Sequence, residues 1–288
     1  MIRQPYRAGS FYEADERACA RSARQLVDLA QVPADLPATV VGGLVPHAGW
    51  PFSGALAALT LKALAQRGRL SRVVVFGADH WGIAGGASVY DSGSWRTPLG
   101  LVPVDEELAS ALLARCPALS ANPAAHAREH SIEVQLPIMQ VLCPEVRVVP
   151  INVSPEPGAV EVGRQVGQVL REAFPQASVV GSTDLTHYGP GYGFVPGGTG
   201  PVGLEWAKQN DRRLLKLIEA MRAERIVDEA NTRHNACGGG AIAATMAAAA
   251  AMGAAAGHCL GYTTSADVMA SFGRSADEAV GYAAVVFA

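Results

Sequence analysis

The chain has 288 residues, is 49% apolar and 17% charged, and carries a net charge of -3. That length is enough to bury a full core. The near-balance of 23 basic and 26 acidic residues, with only 6% aromatics, excludes a polyanion-binding surface or a base-stacking platform.

The opening "MIRQPYRAGSFYEADERACA" has no apolar run of the kind that directs export. "TVVGGLV" (39–45) reads as a buried strand, and "SGALAALTLKALAQRG" (53–68) as a helix with Ser53 as its N-cap and Gly68 as its stop. "SRVVVFG" (71–77) is the next strand. Residues 86–105 form a hairpin or excursion with turns at Asp91–Gly93 and Pro98–Gly100. Helices are expected over 105–116 and 131–143, a strand over 146–153, a helix over 157–174 and a strand over 177–182. A loop rich in glycine, proline and tyrosine fills 188–203, and helical periodicity covers 204–222. The alanine-rich stretch 241–257 is shorter than the ~20 strongly apolar residues of a membrane span and reads as a closely packed buried helix. Strands at 258–266 and 279–288 close the chain.

Short apolar runs alternating with amphipathic helices predict an α/β sandwich with a largely parallel or mixed central sheet flanked by helices. The short connections predict one domain over 1–288, with the final strands making an antiparallel edge. The five cysteines, Cys19, Cys116, Cys143, Cys237 and Cys259, are odd in number and form no CxxC pair, so reduced thiols in a cytoplasmic protein are expected.

In open α/β sheets ligands bind beyond the carboxyl ends of the strands. His47 follows the first predicted strand, Asp79 and His80 follow the second, and Asp184 and His187 follow the 177–182 strand. Three histidines in equivalent places predict a shared site for metal or acid–base chemistry. A lone histidine after a strand would be an ordinary loop residue; it is the repetition that carries the reading. Cys237, in "NACGGG", opens a helix, where free N–H groups favour a thiolate that acts as a nucleophile or a soft metal ligand. Two imidazoles and a thiolate suit a divalent iron, copper or zinc ion. Asp184 and His187 would then supply acid–base function, with His187 the better proton carrier because imidazole titrates near neutrality. In "HAREHSIEVQLP", Glu129, His130 and Glu133 surround a helix start that Ser131 is expected to cap, orienting His130.

Six motifs, "RQPYRAGSFYEAD", "PHAGWPFSG", "GADHWG", "EHSIEVQLP", "STDLTHYG" and "ACGGGAIAA", stand in the order seen in the Memo family, whose bacterial and archaeal members are also called AmmeMemoRadiSam system protein B. The resemblance implies the fold of class III extradiol dioxygenases, which hold non-haem Fe(II) through two histidines and a carboxylate. Carried over by motif, it implies His47, His80 and Cys237 as metal ligands, the cysteine standing near the carboxylate's place. Asp184 and His187 are implied as pocket residues, His187 being similar to the dioxygenases' acid–base histidine. His130 is implied in the same pocket. Trp50 and Trp81 flank the ligands and are expected to meet substrate. The chain departs from the family pattern in having Asp79 before His80 and Gly239 and Gly240 after the cysteine, where the family usually carries arginine and proline.

The resulting expectation is a metal-binding redox protein, most readily Fe(II), with copper or zinc as the other ions. Radical SAM and AMMECR-type proteins are partners implied by the resemblance. Two other functions remain open from the sequence: a non-enzymatic module recognising a peptide or small anion in the same pocket, and a zinc-assisted hydrolase using His187 or Glu129 as base.

Overall fold

The computed structural model describes residues 1–288 and is built around one nine-stranded mixed sheet. Its centre is four parallel strands, in spatial order Gly42–Val45, Ser178–Ser182, Arg72–Ala78 and Arg147–Val153. Almost every residue in these strands is buried, which is why they read as unbroken apolar runs: helices cover both faces of a parallel sheet. On one side Ala279–Phe287 pairs antiparallel with Gly42–Val45 and in turn carries Gly257–Thr264 and the short His187–Tyr188 strand. On the other side Ala87–Val89 pairs antiparallel with Arg147–Val153. The α/β class and the antiparallel edge expected from the sequence are both present. The expected excursion over 86–105 contains a true hairpin, Ser94–Thr97 against Gly100–Pro103.

The crossover from Gly42–Val45 to Arg72–Ala78 runs one way across the sheet, and that from Arg147–Val153 back to Ser178–Ser182 runs the other. Right-handed crossovers in opposite directions put their helices, Trp50–Gln66 and Ala159–Ala173, on opposite faces. The alanine-rich helix Gly239–Ala251 lies against Ala159–Ala173 so closely that a Cβ on Gly163 would stand 2.0 Å from the carbonyl oxygen of Ala244. Small residues on both helices let the backbones meet, and the helix is a core element, as its composition predicted. No helix is long and apolar enough to cross a membrane. The buried apolar side chains form one continuous cluster of 72 residues.

Several local expectations are corrected. The helix expected at residue 53 begins at Trp50, capped by Gly49, because Pro51 tolerates the first turn; the Ser53 hydroxyl donates to the Ala48 carbonyl (3.0 Å) from inside the helix. Ser131 caps nothing: its hydroxyl accepts from the Ala78 N–H (3.0 Å), tying the 122–135 segment to the end of a central strand. The chain then enters the short helix Leu136–Leu142 through a 3-10 turn at Glu133–Gln135. The helix expected over 204–222 spans Gly200–Glu219, and two unforeseen helices follow, Ala223–Arg233 and Ser265–Ser271.

Candidate metal centre

The two crossover directions open a crevice at the carboxyl ends of the parallel strands, where backbone groups of neighbouring loops diverge. His47, His80, Asp184 and His187 all reach it from the strand ends. His130 arrives from the 122–135 segment, and Cys237 from the turn just before Gly239–Ala251. Ring nitrogens of His47, His80 and His130 lie within 4.8 Å of one another. Donors about 2.1 Å from a shared ion would be about 3–4 Å apart, so small side-chain adjustments close the set. Cys237 Sγ is 3.2 Å from His47 Nε2. The three residues expected to be ligands and the expected pocket residue His130 therefore meet in one cluster.

Two of the three imidazoles are oriented by a hydrogen-bond partner. His47 Nδ1 lies 2.9 Å from the Ser182 hydroxyl, whose own hydrogen goes to the Ser131 carbonyl (2.8 Å). That leaves Ser182 as acceptor, so His47 carries a proton on Nδ1 and turns Nε2 toward the Cys237 sulfur. His80 Nδ1 donates to Glu129 (3.0 Å), a wholly buried carboxylate, and likewise presents Nε2. Glu129 also accepts from the backbone N–H groups of His80 (3.1 Å), His130 (2.8 Å) and Ser131 (2.8 Å). The sequence singled out Glu129 beside a helix start; its role in fixing two histidines at once needed the tertiary contact.

These contacts set the protonation of the metal-free cluster. Burial opposes charge on His80, but hydrogen bonds to Cys237 and Glu129 outweigh it and raise its pKa to about 10. Burial, with the charges of His47 and His80, lowers His130 to about 3 and keeps it neutral. Glu129 is desolvated, yet the His80 hydrogen bond holds its carboxyl well below the usual carboxylate range. Burial alone would push the Cys237 thiol up; the charge of His47 and hydrogen bonds from His47 and His80 overcome it and bring it to about 6. The thiolate is supported by the Asp184 N–H (3.2 Å). The sequence credited the helix start for this, but Gly238 is the cap and the histidines supply most of the stabilisation.

Asp184 is almost fully buried, accepts the His47 N–H (2.7 Å), and is raised to about 6 by burial against the pull of His187 and His47. His187 donates Nδ1–H to the Leu185 carbonyl (3.1 Å), which leaves Nε2 as a lone pair; burial lowers its pKa. Both residues line an open cavity of about 550 Å³ above the histidines. The two tryptophans stand outside its wall. Trp50 is buried against Tyr12 (5.4 Å between rings) with Nε1–H donated to the Val134 carbonyl. Trp81 is exposed under Arg128, with Nε1–H donated to the Arg128 carbonyl. Ring contacts to the cavity come instead from Phe11, Phe52, Tyr192 and Tyr282, which no local motif distinguished.

The departures from the family pattern also have local accounts. Asp79 turns away from His80 and caps the next turn, accepting from Ile83 N–H, Ala84 N–H and the Ser154 hydroxyl. Gly240 packs against the backbone, where a Cβ would stand 2.3 Å from the Ser154 carbonyl oxygen. Glu133 is not at the site; it binds Arg3, the Tyr12 hydroxyl and the N–H groups of Tyr6 and Arg7, pinning the N-terminal segment that brings Phe11 to the cavity.

A mixed α/β sheet with His47, His80 and His130 gathered at the carboxyl ends of its parallel strands defines a protein able to hold a metal ion in a crevice. The Memo-like protein family model matches residues 3–286, and the chain belongs to that family. A MEMO1 family protein of Methanopyrus kandleri is 38% identical over 298 residues, covering 100% of this chain and 99% of its own. Those of Thermococcus onnurineus and Thermococcus kodakarensis are each 36% identical over the same shares of both chains.

Proposed function

We propose that this chain is a metal-dependent redox protein, related in chemistry to the class III extradiol dioxygenases, with ferrous iron as its ion and copper as the alternative. The observation that supports the reading is the donor set: two imidazoles oriented through Nδ1 with their Nε2 atoms turned toward the Cys237 thiolate, 3.2 Å from that of His47, and a third imidazole held neutral. His47, His80 and Cys237 would hold the ion, with His130 beside them. Imidazole suits iron, copper and zinc, and a thiolate shifts the preference to softer or redox-active ions. A bound iron or copper ion would supply electron transfer and open coordination positions.

The chain's own residues supply the rest. Glu129 and Ser182 keep the Nε2 atoms of His80 and His47 turned to the centre, so the rings need little reorientation when an ion displaces the Nε2 protons. His187, neutral and with Nε2 free in the cavity, accepts a proton from a substrate hydroxyl or amine and returns it later. Asp184 holds the His47 backbone and faces His187 electrostatically, favouring the imidazolium that forms. By family resemblance the proposal extends to radical SAM and AMMECR-type proteins as partners.

Anaerobic reconstitution with elemental analysis tests the reading, on the parent and on Cys237→Ala, His130→Ala and His187→Ala. One Fe(II) or copper ion per parent chain, lost in Cys237→Ala, is expected; His187→Ala keeps the ion and loses turnover. Full metal retention in Cys237→Ala removes the cysteine from the ligand set. Selective, tight zinc with no response to iron or copper replaces the redox reading with hydrolysis.

A further inference from the structure

The cavity above the histidines is open at one end, and the chemistry of its wall differs from floor to mouth. Its floor holds His47, His80, His130 and Asp184. Its sides carry the rings of Phe11, Phe52, Tyr192 and Tyr282. No lysine or arginine lines it; the charged groups on the wall are Asp184, Glu278 and, in the metal-free chain, the His80 imidazolium beside Glu129. Arg7, whose charge reaches His130, is stacked over the Tyr6 and Phe11 rings (4.9 and 4.6 Å) and is not part of the wall.

Glu278 is held in place rather than free to swing. Its Oε1 accepts the Gly191 N–H, and the 189–193 turn is shaped around it: a Cβ on Gly189 would stand 2.5 Å from Glu278 Cγ, and one on Gly191 2.5 Å from Oε1. With Oε1 committed, Oε2 has no protein partner. Glu278 forms no ion pair with any lysine or arginine. A carboxylate oxygen on a wall that also carries tyrosine and phenylalanine rings can bind an ammonium group, by a charge-assisted hydrogen bond together with cation–π attraction. A carboxylate or phosphate placed at Glu278 itself would meet that negative charge with no lysine or arginine on the wall beside it.

We propose that the cavity takes a primary amine carried on an apolar or aromatic body, with the ammonium at Glu278 and the opposite end directed at the histidine cluster. This rests on the redox-site reading and names its substrate class.

The test uses an isosteric pair of opposite charge, phenethylamine and phenylacetate, titrated by NMR into the full chain, metal-free and Zn(II)-loaded. In the metal-free chain the amine is expected to bind about tenfold more tightly than the acid or better, as charge-assisted and cation–π contacts of this kind allow. Glu278→Gln keeps an acceptor for the Gly191 N–H and should reduce the preference to about threefold or less. Phe52→Lys, which adds a cation at a half-exposed position on the wall, should reverse it. Parity of the two probes, binding of neither, or a preference unmoved by Glu278→Gln overturns the proposal. Metal analysis of the same samples separates the two readings. A chain that holds no metal but keeps the amine preference overturns the redox reading alone. One that holds iron without the preference overturns this proposal alone.

Discussion

Replacing Glu129 by glutamine tests whether the site is pre-oriented by a buried carboxylate. Glu129 Oε1 accepts from His80 Nδ1, His130 N and Ser131 N, while Oε2 accepts from His80 N. A glutamine oxygen placed where Oε1 sits keeps the first three contacts and turns an NH₂ group on the His80 N–H. One buried donor is then unpaired, at about 1–3 kcal/mol, and charge-assisted hydrogen bonds become neutral, for about 1 kcal/mol more. The metal-free variant should therefore be about 2–4 kcal/mol less stable to denaturant than the parent. His80 stays on the Nδ1–H tautomer but is a poorer donor to metal, and loss of such an outer partner lowers affinity about 10–100-fold. Competition against a chelator with Zn(II) reads this directly. The His80 pKa, followed by NMR in the metal-free chain, should fall from about 10, because the Glu129 charge no longer supports the imidazolium. Parental zinc affinity together with an unmoved His80 titration would refute the claim that Glu129 tunes the site.

Two further outcomes are expected. Because the Cys237 pKa is lowered to about 6, its thiolate persists well below the ordinary thiol range; the associated stability is present at high pH and is lost as pH falls through about 6. Iodoacetamide should thus label Cys237 in the metal-free chain with a midpoint near that pH, and about tenfold more slowly one unit below it than on the plateau. A midpoint above 8 would mean that His47 and His80 do not stabilise the thiolate. Gly163→Ala places a methyl 2.0 Å from the Ala244 carbonyl and must push two core helices apart, costing about 1–3 kcal/mol or more in chemical denaturation. Gly158→Ala, with open space around it, serves as the control and should change stability by about 0.5 kcal/mol or less.

Much of the fold was legible locally. "RVVVFG" and "VRVVPINV" read as buried strands because apolar side chains on both faces are what a helix-covered parallel strand requires, and both are strands in the structure. The alanine run read as a packed helix because alanine favours helix and allows close backbone approach. The helix starts were less legible: Ser53 and Ser131 have the side chain of a cap, but both spend it on other partners.

The site divides in the same way. His47, His80 and His187 could be found from sequence, since each follows a strand and the carboxyl ends of parallel strands point one way. Trp50 and Trp81 lie close to His47 and His80 in the chain yet face the core and Arg128, because the direction of a side chain is not set by its neighbour. The sequence by itself determined that His47, His80, Asp184 and His187 gather on one edge of the sheet. Tertiary structure alone decided that Glu129 orients His80, that Ser182 orients His47 and that Glu278 accepts the Gly191 N–H, spans of 49, 135 and 87 residues. Hydrogen bonds between such distant positions follow from how the strands are ordered in the sheet, and local pattern carries no signal of that order.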